Sequence, residues 1–99
     1  MKCKSYYHFF EVIANKTRFK IIESLINGPL NVGQICLLTN EEQSKISHGL
    51  SVLSSCNIIE SRKDGKNRIY SLNKETVEPM LRLVERHVEK HCDGKCGLK

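Results

Sequence analysis

Four side chains with affinity for soft metals lie close together near the end of the chain: His87, His91, Cys92 and Cys96. The two histidines are four residues apart and would share one helix face, as paired imidazole ligands do. Two imidazoles and two thiolates suit tetrahedral zinc or another thiophilic ion. A pyramidal metalloid site would need a third thiolate, from Cys3 or from a second subunit. Two alternatives remain open: histidines that merely end a dimer helix, or a thiol pair that oxidation switches.

A second group of polar side chains, between residues 42 and 55, suits nucleic acid. Ile46, Leu50 and Leu53 recur at helical spacing and form an apolar stripe. The opposite face carries short hydroxyls, one imidazole and one lysine, which let a helix enter a major groove and reach bases and phosphates. A serine-rich surface helix without a partner is the alternative. The predicted DNA contacts on this helix are Gln43, Ser44, Lys45, Ser47, His48 and Ser51.

The stretch that follows predicts a basic β-hairpin. Residues 58–63 and 67–72 alternate between apolar and polar, and Asp64-Gly65 between them is a strong hairpin signal. A basic hairpin directly after two short helices is typical of a wing on the DNA backbone, although a solvated loop is the alternative. The predicted contacts are Arg62, Lys63, Lys66 and Arg68.

The remaining pattern predicts the elements that position these groups. Helices are expected over 5–14, 16–27, 32–38, 42–55 and 74–92, with Asn15 and Asn31 as caps. The core face of the second helix is expected to be Phe19, Ile22 and Ile26, with Ile21 and Leu25 beside it. The first helix is aromatic on a broad face and the last has a seam of apolar residues, so both are expected to contact a second subunit. The prediction is a mainly α fold with a small β-hairpin, in one domain over 1–92 and a flexible tail over 93–99.

Composition narrows the function further. The chain has 99 residues and a net charge of +5, which suits one domain and a polyanionic partner. No apolar run reaches the roughly 18 residues of a membrane span, and the start lacks a signal-peptide core, so a cytoplasmic protein is expected. Five cysteines without repeated spacing argue against a disulfide framework, and Cys36 and Cys56 are expected to be small core residues. No spacing of nucleophile, base and acid suggests an enzyme.

The whole pattern resembles the ArsR/SmtB family of winged helix-turn-helix repressors. The matching segments are residues 15–22, 34–39, 43–53, 57–59 and 64–72. The resemblance implies a homodimer built on the first and last helices, a recognition helix in each major groove, and release of DNA by an effector. Family members often have Ser-Arg-His-Leu where this chain has Ser47-His48-Gly49-Leu50, and an apolar residue where Glu41 stands. The second thiol of the family's Glu-Leu-Cys-Val-Cys motif is missing, because Leu38 occupies its position.

Three hypotheses follow. The leading one is a dimeric, sequence-specific transcriptional repressor that a metal, metalloid or thiol oxidant releases from DNA. The second is a DNA-binding protein of the same fold with no effector, whose cysteines are incidental. The third is a winged helix that binds another protein, in which case binding would lack a steep salt dependence.

Overall fold

The computed structural model describes residues 5–92, so Cys3, Cys96 and the predicted tail 93–99 lie outside it. Five helices and three strands are present in this part of the chain. Their bounds are Tyr6–Ile13 (α1), Lys16–Leu25 (α2), Leu30–Asn31 (β1), Val32–Thr39 (α3), Gln43–Ser55 (α4), Ile59–Asp64 (β2), Asn67–Leu72 (β3) and Val77–His87 (α5). A π-helical turn, Val88–Cys92, continues α5. The predicted order of helices and hairpin is confirmed.

Side-chain caps fix where α2 and α3 begin, and both are the asparagines predicted from the sequence. Asn15 Oδ1 accepts a hydrogen bond from the backbone N–H of Arg18 at 3.0 Å. Asn31 Oδ1 accepts one from Gln34 N–H at 2.9 Å, and Gln34 Oε1 accepts the N–H of Asn31 at 2.9 Å. This reciprocal pair is a capping box, which satisfies two N–H groups that a helix start otherwise leaves without partners.

The three strands form one antiparallel sheet in the order β1-β3-β2. β2 and β3 are the predicted hairpin, and Gly65 in their two-residue turn has φ of 66°, a conformation that glycine adopts without strain. β1 was not predicted. It contains two residues, which pair with Ile69 and Tyr70, and two residues are too few to show an alternating pattern.

The core lies between α2, α3, α4 and the base of the hairpin. The predicted core face of α2 is confirmed for Ile22, and Ile21 and Leu25 beside it are buried too. It is wrong for Phe19, which is 40% exposed, and for Ile26, which is only half-buried. Apolar residues cover so much of this helix that spacing alone does not select the buried face. The neighbouring helix selects it, because α4 packs directly on Ile21.

The contact between α2 and α4 depends on Gly49. A Cβ atom added at this position would lie 2.7 Å from Ile21 Cδ1, closer than carbon atoms approach one another. Glycine inside a helix costs about 1 kcal/mol relative to alanine. That cost is offset here, since a glycine lets α4 lie close against α2.

We expect Gly49→Ala to lower the free energy of unfolding by up to about 2 kcal/mol, because overpacking of about 1–3 kcal/mol exceeds the gain in helix propensity. In an Ile21→Val background the clashing methyl is absent, and the same substitution is expected to be neutral or stabilising. Urea denaturation of the four proteins measures this coupling. An equal effect of Gly49→Ala in both backgrounds would contradict the packing argument.

The two terminal helices of the described region are only partly covered. α5 has a buried start at Val77, but Leu83 is 61% exposed and Val84 and Val88 are each about half exposed. On α1, Tyr6, Tyr7 and Phe10 are exposed as well. Within residues 5–92, no helix is both long and apolar enough to cross a membrane.

Candidate nucleic-acid interface

The central element of the candidate interface is α4, and its orientation is fixed by the core. Ile46, Leu50 and Leu53 are buried, as the apolar stripe predicted. Burial of this stripe fixes the rotation of α4, and the opposite face therefore points outward. Its six predicted DNA contacts are all exposed: Gln43, Ser44, Lys45, Ser47, His48 and Ser51.

The turn between α3 and α4 sets the angle of a helix-turn-helix unit. Asn40 ends α3 with φ of 57°, in the left-handed conformation that asparagine tolerates better than most residues. Thr39, which is buried, donates its hydroxyl to the carbonyl of Ile35 at 2.8 Å. The buried hydroxyl of Thr39 thus has a hydrogen-bond partner within α3. The N-terminal turn of α4 lies at the surface.

Glu41, in this turn, pairs with two lysines from two different helices. Lys20 Nζ on α2 donates to Glu41 Oε2 at 3.1 Å, and Lys45 Nζ on α4 lies 3.9 Å from Oε1. The hydrogen bond from Lys20 is the main cause that lowers the pKa of the Glu41 carboxyl below its ordinary value. The spacing of Glu41 and Lys45, four residues apart, is visible in the sequence. The contact with Lys20 is not, because only the fold brings α2 to the turn.

The register of the hairpin divides three of its predicted basic contacts between two faces, and the fourth, Lys66, lies in the turn. Lys63 lies directly opposite Arg68, while Arg62 lies opposite Ile69 and so projects from the other face. Like charges directly across a ladder repel one another. Arg68 Nη1 donates to Ser61 Oγ at 3.1 Å, which orients one member of the pair. A polyanion bound on this face would relieve the repulsion between Lys63 and Arg68.

The predicted metal ligands are brought together only in part. The rings of His87 and His91 lie side by side, with centroids 4.9 Å apart, and both side chains are exposed. Cys92 is half-buried, and Cys96 lies outside the described residues. Among residues 5–92, no three His, Cys, Asp or Glu side chains form a group that could hold an ion. Cys36 and Cys56, which were expected to be core residues, pack against the core but are only partly buried.

Comparison with known proteins identifies the family. The model for "Bacterial regulatory protein, arsR family" matches residues 15–61, from the cap of α2 into β2. The uncharacterized HTH-type transcriptional regulator Rv0081 of Mycobacterium tuberculosis is 30% identical over 79% of this chain and 69% of its own length. The chain belongs to the ArsR family. The family resemblance stated from the sequence is therefore confirmed, and so is the function it implies, that of a DNA-binding transcriptional regulator.

Solved structures and further relatives agree with this assignment. The crystal structure of Rv0081 superposes on this ArsR-family protein with a TM-score of 0.77 over 85% of each chain, at 26% identity. The transcriptional repressor SdpR of Bacillus subtilis is 28% identical over 82% of this chain and 90% of its own. A probable mercury resistance operon repressor of Streptomyces lividans is 28% identical over 77% of this chain and 61% of its own.

Proposed function

We propose that this ArsR-family regulator represses transcription by binding an operator as a homodimer, with α4 in the major groove and the hairpin on the backbone. The main support for the proposal is the orientation of α4. Its apolar stripe is buried in the core, so the opposite face, with its small polar side chains, points outward. Serine hydroxyls and one imidazole on that face are short enough to let the helix backbone approach base edges. Base contacts supply the specificity, and phosphate contacts from the hairpin supply affinity and orientation.

The homodimer is supported by the apolar surface that one chain leaves uncovered on α1 and α5. A groove of about 340 Å³ between α2 and α5 adds to it, with Phe19, Ile26, Val84 and Val88 in its lining. Exposed apolar patches of this kind mark interfaces between proteins. A second copy with the same patch is the partner that a symmetric dimer requires. Dimerisation would place two α4 helices on one duplex.

His48 is the residue we assign to base readout. His48→Ala is expected to weaken binding to a preferred duplex, selected from a randomised pool, by a factor of about 25 to 2 × 10⁴, because the dimer loses two base contacts worth about 5- to 150-fold each. Binding to a mixed-sequence duplex should change much less, because phosphate contacts remain. The two affinities can be compared by fluorescence anisotropy at one fixed salt concentration.

The matched control is His87→Ala, which removes an exposed imidazole from α5 instead, measured in metal-free buffer. It should leave both affinities unchanged. Equal losses on the two duplexes in His48→Ala would remove His48 from base readout.

We further propose that a thiophilic metal or metalloid ion relieves repression, and that His87, His91, Cys92 and Cys96 hold it. The paired rings of His87 and His91 support two of these ligands, and imidazole and thiolate together suit zinc-like ions. The mercury resistance operon repressor among the relatives is consistent with this chemistry. The bound ion would connect the end of α5 to the segment that contains Cys96. Since α5 also belongs to the proposed dimer, the histidines there are placed to alter the spacing of the two α4 helices.

Titration of the reduced protein with zinc, cadmium and arsenite is expected to show tight binding of at least one of them, followed by thiolate absorbance and bound stoichiometry. The double variants His87→Ala/His91→Ala and Cys92→Ser/Cys96→Ser should lose it, because each removes half of the ligands. Cys56→Ser, a thiol packed against the core, is the control that should keep it. Binding retained in both double variants would refute this site. If none of the ions binds but thiol oxidation lowers DNA affinity, the effector is an oxidant.

A further inference from the structure

A carboxylate lies at the start of the helix that we assign to the DNA, where a negative charge opposes the phosphates. Glu41 is only 17% exposed in its side chain, and both of its oxygens face a lysine. Lys20, at 36% exposure, is the closer partner and is held on α2. Lys45, at 61% exposure, is the more distant partner and the more accessible one. The carboxylate is therefore held in place by Lys20 and also pairs with Lys45, a predicted DNA contact.

We propose that Glu41 is a positioning residue that limits the DNA affinity of this regulator by competing with phosphate for Lys45. The inference rests on the proposed function, since it requires α4 to face DNA. Lys20 holds the carboxylate in the turn, and Lys45 exchanges Glu41 Oε1 for a phosphate oxygen when DNA binds. The separation of 3.9 Å between Lys45 and Glu41 is at the outer limit of an ion pair, so this exchange breaks no close hydrogen bond.

The exchange has a consequence for the salt dependence of binding. A lysine that neutralises a phosphate normally allows the DNA to release counterions, which lowers affinity as salt rises, with a slope of about −0.9 per contact on logarithmic axes. Glu41 stays beside Lys45 after the exchange, so the two side chains together bring the phosphates a net charge close to zero. The Lys45 contact therefore adds less to the slope than an unpaired lysine would. Removing the charge of Glu41 should restore that contribution.

The test is to measure binding to a mixed-sequence duplex between about 50 and about 200 mM salt, which needs no knowledge of the operator. Glu41→Gln is expected to bind about four to 25 times more tightly, the worth of two exposed ion pairs in the dimer, and to steepen the slope by up to about 1.8. Lys20→Met removes the hydrogen bond that anchors Glu41 but leaves the carboxylate charged. It should weaken binding and not steepen the slope.

These two variants separate an electrostatic role from a structural one, because both weaken the ion pair between Lys20 and Glu41 and they change the net charge in opposite directions. If Glu41 only tied α2 to the turn, both variants would weaken binding, and that result would overturn the inference. Glu75→Gln is the control for net charge: its exposed carboxylate takes part in no ion pair among residues 5–92. It should reproduce neither effect.

A final comparison shows whether the effect acts through Lys45. In a Lys45→Gln background, Glu41→Gln should no longer steepen the slope. A slope that steepens equally without Lys45 would overturn the inference. Wild-type protein that fails to bind the duplex at all would overturn the proposed function and this inference with it. Wild-type binding that Glu41→Gln weakens would overturn the inference alone.

Discussion

Leu83→Glu is expected to raise the dissociation constant of the homodimer by a factor of about 10² to 10⁴. Burying a leucine side chain stabilises an interface by about 1.5–3 kcal/mol, and a symmetric dimer contains two copies of it. Leu83 is 61% exposed in the single chain, so the substitution should leave the fold of the subunit intact. Sedimentation or light scattering over a range of protein concentrations measures the dimer, and circular dichroism checks the fold.

The matched control for this prediction is Leu37→Glu on α3. Leu37 is even more exposed, at 84%, but it lies outside the α1 and α5 surface. The same change of charge and shape there should leave the dimer unaffected. A Leu83→Glu protein that stays dimeric, or a Leu37→Glu protein that becomes monomeric, would show that the subunits associate through another surface.

Lys63→Ala/Arg68→Ala is expected to weaken binding to any duplex by at least tenfold at moderate salt and to reduce the salt slope by up to about 3.6, since each of the two subunits loses two phosphate contacts worth about 0.9 each. Stability should be unchanged or slightly higher, because the two positive charges face each other across the hairpin. Specific and mixed-sequence DNA should lose affinity by the same factor. Anisotropy titrations over a salt series measure both quantities, and urea denaturation measures stability.

Lys74→Ala/Lys90→Ala removes the same charge from two exposed lysines outside α4 and the hairpin tip. If these residues do not touch DNA, the salt slope should stay close to that of the wild type. A flattening equal to that of Lys63→Ala/Arg68→Ala would mean that net charge, and not the hairpin, determines backbone binding.

The parts of the fold that could be predicted from sequence are those that depend on residues close to one another in the chain. Asn15 and Asn31 cap helices with their own side chains, and such caps need only the next three residues. The stripe of Ile46, Leu50 and Leu53 repeats at helical spacing, so both the helix and its outward face follow from it. The face that we propose to bind DNA was predictable for this reason.

Features that depend on distant residues could not be predicted in the same way. The buried face of α2 is selected by its contact with Gly49, which from the sequence was only a departure from the Ser-Arg-His-Leu segment of the family. β1 exists because β3 offers it hydrogen-bonding partners. The pairing of Glu41 with Lys20 joins residues 21 positions apart, so Glu41 stood out in the sequence as a departure without a visible reason.

The most direct test of operator selection by α4 is to select duplexes from a randomised pool with the wild-type protein and to map the enriched sequence. We expect an inverted repeat whose two half-sites are centred about one helical turn, roughly 34 Å, apart, because a symmetric dimer presents two copies of α4. Within each half-site, changing the base pair that His48 contacts should weaken wild-type binding but have little effect on His48→Ala. A pool that yields no enriched sequence, or a single half-site without its repeat, would contradict a dimeric regulator that uses α4 to select its operator.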